Sequence, residues 1–433
     1  MKKSIYFLII GFLSFMINTS AQTVVEVGDD LFATIENAED GTEIIVKSGS
    51  HKAAHNTINI IDKSLTIRGE EGTPKPKVYI KSISVSGTDI SLILEGIEFS
   101  GATYDSLTGV EDTVALTGEY VVNLTTDFTS GTDIIIRDCT VRNFERSVIR
   151  GDRADNYVNN ILVDDCIIFD LRGGGSYGPF RLKSKITFDD FTIQNSTFHH
   201  IQGTLIDCKD MVSFPANILV KNCTFYKWGG VISDKYLFEI TANDQANMMI
   251  RSCILGKTNP ASDPEALVYG FRIMEEAYAE ITNTAMTPDF SPDDSTYAQV
   301  SWDLDQYNAV DLDPEFQFPD TANFYIPLES DINQMSPEGT IIGDPRWDSE
   351  IPESVDNIFE SSDFTLFPNP ASEQLTILNG GTGYIEIYNS VGLKIDELRL
   401  LNSSIEVVNI SDYIPGIYFI RLNETTLRRV VVE

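Results

Sequence analysis

Basic residues are scarce in this chain. Its 433 residues hold 31 lysines and arginines against 65 aspartates and glutamates, a formal charge of −34. Such a surface repels nucleic acid and anionic membranes at long range, so no nucleic-acid partner is expected, and an anionic ligand needs a local basic patch. Histidine is scarcer still: there are only His51, His55, His199 and His200. None stands in an HExxH pattern, which sets aside that zinc-hydrolase site, and phosphate loops and nucleophile elbows are missing too. Cysteine is limited to Cys139, Cys166, Cys208, Cys223 and Cys253. The odd count argues against a full disulfide framework even in an oxidising compartment. After the first twenty residues no apolar run is long enough to cross a bilayer, so no transmembrane span is expected. Helical periodicity is nearly missing throughout.

What is present begins at the N-terminus. "MKKSIYFLIIGFLSFMINTSAQ" has two lysines, a short apolar run, and Thr19 and Ala21 placed for cleavage after Ala21. Residues 1–21 therefore read as a secretory signal peptide. Beyond it one phrase recurs: "DIIIRDCTV" from 133, "NILVDDCII" from 160, "DFTIQNSTF" from 190, "NILVKNCTF" from 217 and "NMMIRSCIL" from 247. Aligned on Asp138, Asp165, Asn195, Asn222, Ser252 and Asn283, the repeats stand about 30 residues apart, a solenoid period.

Within a repeat, apolar residues alternate as in a strand until one extra Asp, Asn or Ser interrupts them. These residue types tolerate a left-handed backbone and bond to their own turn. Each repeat is thus expected to bend sharply at this column between short strands. Stacked coils would place Asn-type side chains in a ladder, with the cysteines and Phe198 or Phe225 filling inward columns. The predicted fold is a right-handed parallel β-helix over 22–347. Residues 41–69 and 91–101 supply its opening coils, and 101–118 form an inserted loop. A short helix within 29–40, with Phe32 and Ile35 on one face, would cap the exposed end.

The opening "LFATIENAEDGTEIIVKSGSHK" and the coils "DCTV", "NSTF" and "NCTF" resemble pectin-lyase-like β-helix proteins. "DPEFQFPDTANFYIPLESD" and "GDPRW" resemble the closing segment (286–347) of uncharacterised β-helix families, relatives of chondroitinase B-type polysaccharide lyases. This resemblance implies a fold more firmly than an activity, because the fold hosts lyases, hydrolases, epimerases and adhesins. Residues 348–361 are acidic and proline-containing, and read as a linker. Residues 362–433 alternate like strands, with turns at Asn-Pro, Gly-Gly and Pro-Gly, as in a small β-sandwich. "LFPNPASEQLTI", "GIYFIRL" and "LRRVVV" resemble the type IX secretion C-terminal sorting domain. That resemblance implies export through the type IX machinery, with the protein released or held at the cell surface.

The informative chemistry lies on the other strand of each coil: "YVVNLTT", "SVIRG", "PFRLK", "TLIDCK", "LFEIT" and "GFRIM". Taking Leu124, Ile149, Leu182, Cys208, Ile240 and Ile273 as inward aligns Arg150, Lys183 and Lys209 on successive coils. Arg181, Asp207, Glu239 and Arg272 lie beside them. Stacked like charges repel, so a cationic row in an acidic protein asks for a reason. One reading is an ion-pair ladder in which Asp207 and Glu239 neutralise the cations. The other is a groove for an acidic polysaccharide. β-Elimination of a uronate needs a cation on the carboxylate and a base for the neighbouring C–H. Arg150 or Arg181 would be the neutraliser and Lys183 or Lys209 the base. Asp207, Glu239 and Arg272 would bind substrate, and Tyr177, on the glycine-rich "DLRGGGSYG" loop, would stack on sugar or donate a proton.

Resemblance to the lyases matches Lys183-Ser184 and, one coil later, Lys209, but the calcium-binding glutamates that it implies are missing from "GGGSYGPF". No metal site and no cofactor are assigned, and a structural calcium in the acidic stretch 286–331 is the alternative reading there. A hydrolase would need clustered aspartates on this face. Asp207 and Glu239 are the only candidates and sit one coil apart. His199 and His200 read as a solvated turn pair. The expected function is therefore action on polysaccharide, with uronate elimination as the first chemistry. A non-catalytic carbohydrate-binding or adhesive surface protein is the competing class.

Overall fold

The computed structural model describes residues 21–52, 57–173, 177–183, 186–211, 216–229, 236–259 and 269–287, pieces of 291–347 (291–293, 300–302, 324, 332, 342–347), and most strand residues of 365–432. The chain divides into two compact units between Ser349 and Glu350.

The first unit is a parallel β-helix with three faces. The first face stacks Thr42–Val46, Leu65–Gly69, Ser91–Glu95, Thr132–Arg137, Tyr157–Asp164, Thr187–Gln194 and Ala216–Lys221, each parallel to the next. The second stacks Thr57–Ile61, Ser82–Thr88, Tyr120–Asn123, Ser147–Arg150, Phe180–Lys183 and Ile206–Met211. Two longer strands, Tyr236–Arg251 and Tyr269–Thr282, run through both of these faces. The third face is made of short strands, among them Thr140–Arg142, Ile167–Leu171, Thr197–Ile201 and Thr224–Tyr226.

Between the first and third faces the chain bends where the sequence places it. Asp138, Asp165, Asn195, Asn222, Ser252 and Asn283 all have φ between 48° and 54°. The side-chain ladder is shorter than expected. Asn222 Nδ2 donates to Asn195 Oδ1 at 3.3 Å, but Asp138 takes Lys75 at 2.7 Å and Asp165 takes Arg346. Adjacent carboxylates repel, so a cation settles each of them instead of a rung.

The next residue in each repeat points inward. Cys139, Cys166, Cys223 and Cys253 are buried free thiols, as the sequence indicates. Each donates to the carbonyl two residues earlier, at 3.2–3.3 Å. Ser196 and Thr284 do the same with their hydroxyls. Cysteine therefore alternates with Ser and Thr in this column because the position needs a small donor to satisfy a bend carbonyl. The core beside it is aromatic: Phe198 stacks on Phe225 at 5.2 Å and Phe238 on Phe271 at 5.2 Å. Burying each ring is worth about 2–3 kcal/mol.

The capping helix spans Leu31–Asn37 and buries Leu31 and Ile35, with Phe32 packed partly against the core. Asp30 caps it by accepting from Ala33 N at 3.0 Å, and Lys63 donates to its last carbonyls. Glu36 accepts the N–H of Asn59, on the first strand of the second face, at 2.9 Å. The helix thus shields an open sheet edge. The inserted loop is a hairpin, Ala102–Asp105 with Val110–Leu116. It is pinned to the third face by the Glu111–Arg142 pair. Described parts of the closing segment also lie on the third face, where Phe324, Ile332, Ile342 and Trp347 pack with Tyr226, Ile254 and Ala285.

The second unit has two antiparallel sheets, Thr365–Phe367/Gln374–Leu378/Ile405–Asn409 and Lys394–Leu400/Gly383–Asn389/Gly416–Leu422/Thr426–Val432. Leu375, Ile377, Ile385, Ile387, Ile420 and Val430 form its separate core. Residues 348–361 and the first twenty lie outside the described residues.

Candidate functional site

The second face carries the charged residues, and the strand register fixes their order. Asn123 lies beside Arg150, then Arg181, Asp207, Glu239 and Arg272, one per coil. Lys183 lies beside Lys209 in the next outward row. Arg150 therefore belongs with Arg181, not with Lys183 and Lys209 as the sequence alignment had it. Its strand ends at Arg150, and Gly151 then passes close over Leu182 and Ile186, where a Cβ would meet side-chain carbons at 3.0 and 2.6 Å. The strand has no residue left to stand beside Lys183.

The ion-pair ladder is present. Asp152 pairs with Arg150 at 2.9 Å and Arg181 at 3.3 Å. Asp207 pairs with Lys183 at 2.5 Å and Arg181 at 4.0 Å. Glu239 pairs with Lys209 at 2.5 Å and Arg272 at 3.0 Å. Among the described residues each carboxylate is shared by two cations, and five cations meet three anions. The two signs also lie at different depths. Asp152, Asp207 and Glu239 keep 11%, 4% and 6% of their side-chain surface exposed. Arg150, Arg181, Lys183, Lys209 and Arg272 keep 24%, 18%, 19%, 30% and 28%. The anions form a floor and the cations face solvent.

An aromatic corner closes one side of the patch. The Tyr177 ring lies 4.1 Å from the Arg181 guanidinium, 5.2 Å from that of Arg146 and 5.6 Å from that of Arg150. Cations over an aromatic face attract it and are held flat by it. Tyr120, buried and edge-on to Tyr177, accepts from Arg146 at 2.7 Å and from Arg150 at 3.0 Å. Burial pushes the Tyr120 phenol above its ordinary pKa, against the pull of the two arginines. The Arg150 pKa is also raised: burial opposes this, and the bond to Asp152 together with the charges of Asp152, Tyr120 and Tyr177 outweighs it. Gly178 and Gly203 fix Tyr177 from behind. A Cβ on Gly178 would fall 1.6 Å from Thr204 O, and one on Gly203 2.4 Å from Tyr177 O.

The face thus brings together Arg150, Tyr177, Arg181, Lys183 and Asp207, with Lys209, Glu239 and Arg272 extending it. Sequence reasoning missed Tyr120, Arg146 and Asp152. Asp152 follows its strand in "RGDRAD", two residues after Arg150, and that spacing was the available signal. Ser184 and residues 174–176 lie outside the described residues, as do most of the acidic residues of 286–331. Among the described residues no group of three or more His, Cys, Asp or Glu side chains is placed to hold a metal ion. No described helix is long and apolar enough to cross a membrane.

The histidine pair differs from the expected solvated turn. His199 is buried, stacked on Phe169 at 4.7 Å and 5.4 Å from Phe324. Its Nδ1 lies 2.8 Å from His200 Nδ1. Burial pushes its pKa down to about 3. The pair lies on the third face and takes no part in the charged patch.

Residues 365–433 match the family described as a secretion system C-terminal sorting domain. Solved structures similar to the chain include the PL6-family alginate lyase AlyGC, at 15% identity and a TM-score of 0.43, covering 66% of this chain and 39% of that one. They also include the pectate lyase Pel9A, at 10% identity and a TM-score of 0.34, covering 73% of this chain and 91% of that one. This chain therefore spans well under half the length of the alginate lyase. No curated protein matches it. Residues 365–433 form a type IX secretion sorting domain, and the unit before them is a parallel β-helix.

Proposed function

We propose that this is an exported protein that binds an anionic polysaccharide along the Arg150–Arg272 face and cleaves it by β-elimination at a uronate. Export is supported by the sorting domain and by the signal-peptide pattern of residues 1–21. The observation that carries the binding reading is the layering of the face: shared carboxylates below, and cations that keep part of their surface open to solvent above. An anionic polymer meets the solvent side of those cations without displacing the floor. In a chain of charge −34 this patch is where such a ligand escapes general repulsion.

For elimination, Arg150 and Arg181 offer two guanidiniums to one carboxylate, which neutralises it and acidifies the adjacent C–H. A base takes that proton, the neighbouring C–O bond breaks, and the leaving oxygen is protonated. Lys183 stands beside the arginines but rests on Asp207, so its use as base requires that pair to open when substrate arrives. Tyr177, at the rim, packs on the sugar or supplies the proton.

A second reading, a non-catalytic polysaccharide binder, is favoured by one specific observation. Both lysines of the face sit on nearly buried carboxylates. The full chain, offered alginate, pectate, chondroitin and ulvan, separates the two. A rise in ultraviolet absorbance from unsaturated uronate ends, lost in Lys183→Ala, supports elimination. Retention on a polymer gel with no absorbance change supports the binder. Neither effect with any of the polymers rules out both.

A further inference from the structure

A second polar depression lies around the corner from the charged face. It has a volume of about 340 Å³ and is lined by Thr113, Asn143, Asp170, Arg172, His200, Gln202 and Asn259, with buried Leu171 also in its wall. That volume is at the low end of the range for small-molecule sites, roughly 300–1,000 Å³. Three elements build it. The inserted hairpin contributes Thr113, the left-handed bends of the third face contribute Asn143, Asp170 and His200, and the segment of the next coil that bridges to Trp228 contributes Asn259.

Its polar groups divide into two sets. One set is spent on holding the frame. Asn259 Nδ2 donates to Ile201 O at 2.8 Å and Gly229 O at 2.7 Å. Arg172 Nη2 donates to the hairpin carbonyls of Thr113 and Val114 at 2.7 and 3.0 Å. Asn143 leans on Glu111, the residue that anchors the hairpin through Arg142. The other set faces solvent: the side chains of Thr113, Asp170 and Gln202 are exposed and make no hydrogen bond with a described residue. The braced frame sets these solvent-facing donors and acceptors around one concave surface.

The solvent-facing groups are one hydroxyl, one carboxylate and one carboxamide. Arg172 is held by the hairpin carbonyls and by Glu145, which leaves Asp170 as the charge turned to the depression and disfavours an anion. A divalent cation needs six or more oxygen ligands, and a single carboxylate with the Arg172 guanidinium in the same wall serves it poorly. A neutral polyol fits: its hydroxyls donate to Asp170 and exchange hydrogen bonds with Gln202 and Thr113, while its C–H face meets Leu171. We propose that this depression binds one neutral sugar unit, a site distinct from the cationic face.

Saturation-transfer NMR on the full chain tests this, using free xylose, galactose, mannose and rhamnose one at a time. At least one sugar is expected to show transfer. Asp170→Asn, which keeps a residue suited to the φ of 53° at that bend, and Gln202→Ala are each expected to weaken its binding about tenfold or more. An excess of free galacturonate should not displace it. Absence of transfer from all four sugars would overturn the proposal. So would unchanged binding in both variants, or displacement by galacturonate, which would move the sugar to the cationic face. Loss of anionic-polymer binding by the protein, in contrast, bears on the proposed function and leaves this site standing.

Discussion

Asn222 shows how one residue can be read from a string of letters. It interrupts apolar alternation, and it sits at a φ of 51°. That conformation costs an alanine about 1 kcal/mol and a glycine little. Asn222→Ala should therefore lower stability by about 1 kcal/mol, and Asn222→Gly by clearly less, in chemical denaturation. His199 was read wrongly because its neighbours come from afar. Phe324 is more than a hundred residues away in sequence and helps bury the ring, which no local pattern could reveal. Its pKa is lowered, so the folded state binds fewer protons than the unfolded state between about 3 and 6.5. Stability from this site is present above pH 6.5 and is lost as pH falls toward 3. The thermal midpoint of His199→Phe should fall less than that of the wild type over this window.

At the scale of the element, strand membership was legible and strand length was not. The outward residues of "PFRLK", "TLIDCK" and "LFEIT" stack as the pattern implied. The alignment of Arg150 failed because its strand stops at Gly151, and a stop set by packing on Leu182 and Ile186 leaves no mark on alternation. The closing "GDPRW" is similar: its letters suggest a segment end, but its docking is tertiary. Asp344 is buried there, accepting from Thr197 Oγ1 at 2.7 Å and Arg346 Nη1 at 3.1 Å. Burial raises its pKa from 3.8 to about 6, against those partners. The folded state thus holds this proton more tightly. Stability is fully present below about pH 4 and is lost as pH rises through 6, by roughly 3 kcal/mol at most. Asp344→Asn does not titrate. The stability of the wild type relative to this variant should fall between pH 4 and 7 in denaturant titrations at each pH.

For the whole molecule, the relevant balance is between a chain of charge −34 and a patch where, among the described residues, five cations share three carboxylates. The repeat made the solenoid legible, and composition made the patch conspicuous. What stayed hidden was depth, because a sequence does not say which of two neighbouring charges lies beneath the other. Binding through such a patch should weaken steadily as salt is added, since the cations are partly exposed and the remaining surface repels the ligand. The most direct test measures binding of the full chain to an anionic uronate polymer and to a neutral polysaccharide by isothermal titration at low and high salt. It compares the wild type with Arg150→Ala and Arg181→Ala. The account predicts preference for the anionic polymer, salt sensitivity, and about tenfold weaker binding in each variant. Equal binding of both polymers, or affinity unchanged by either substitution, would contradict it.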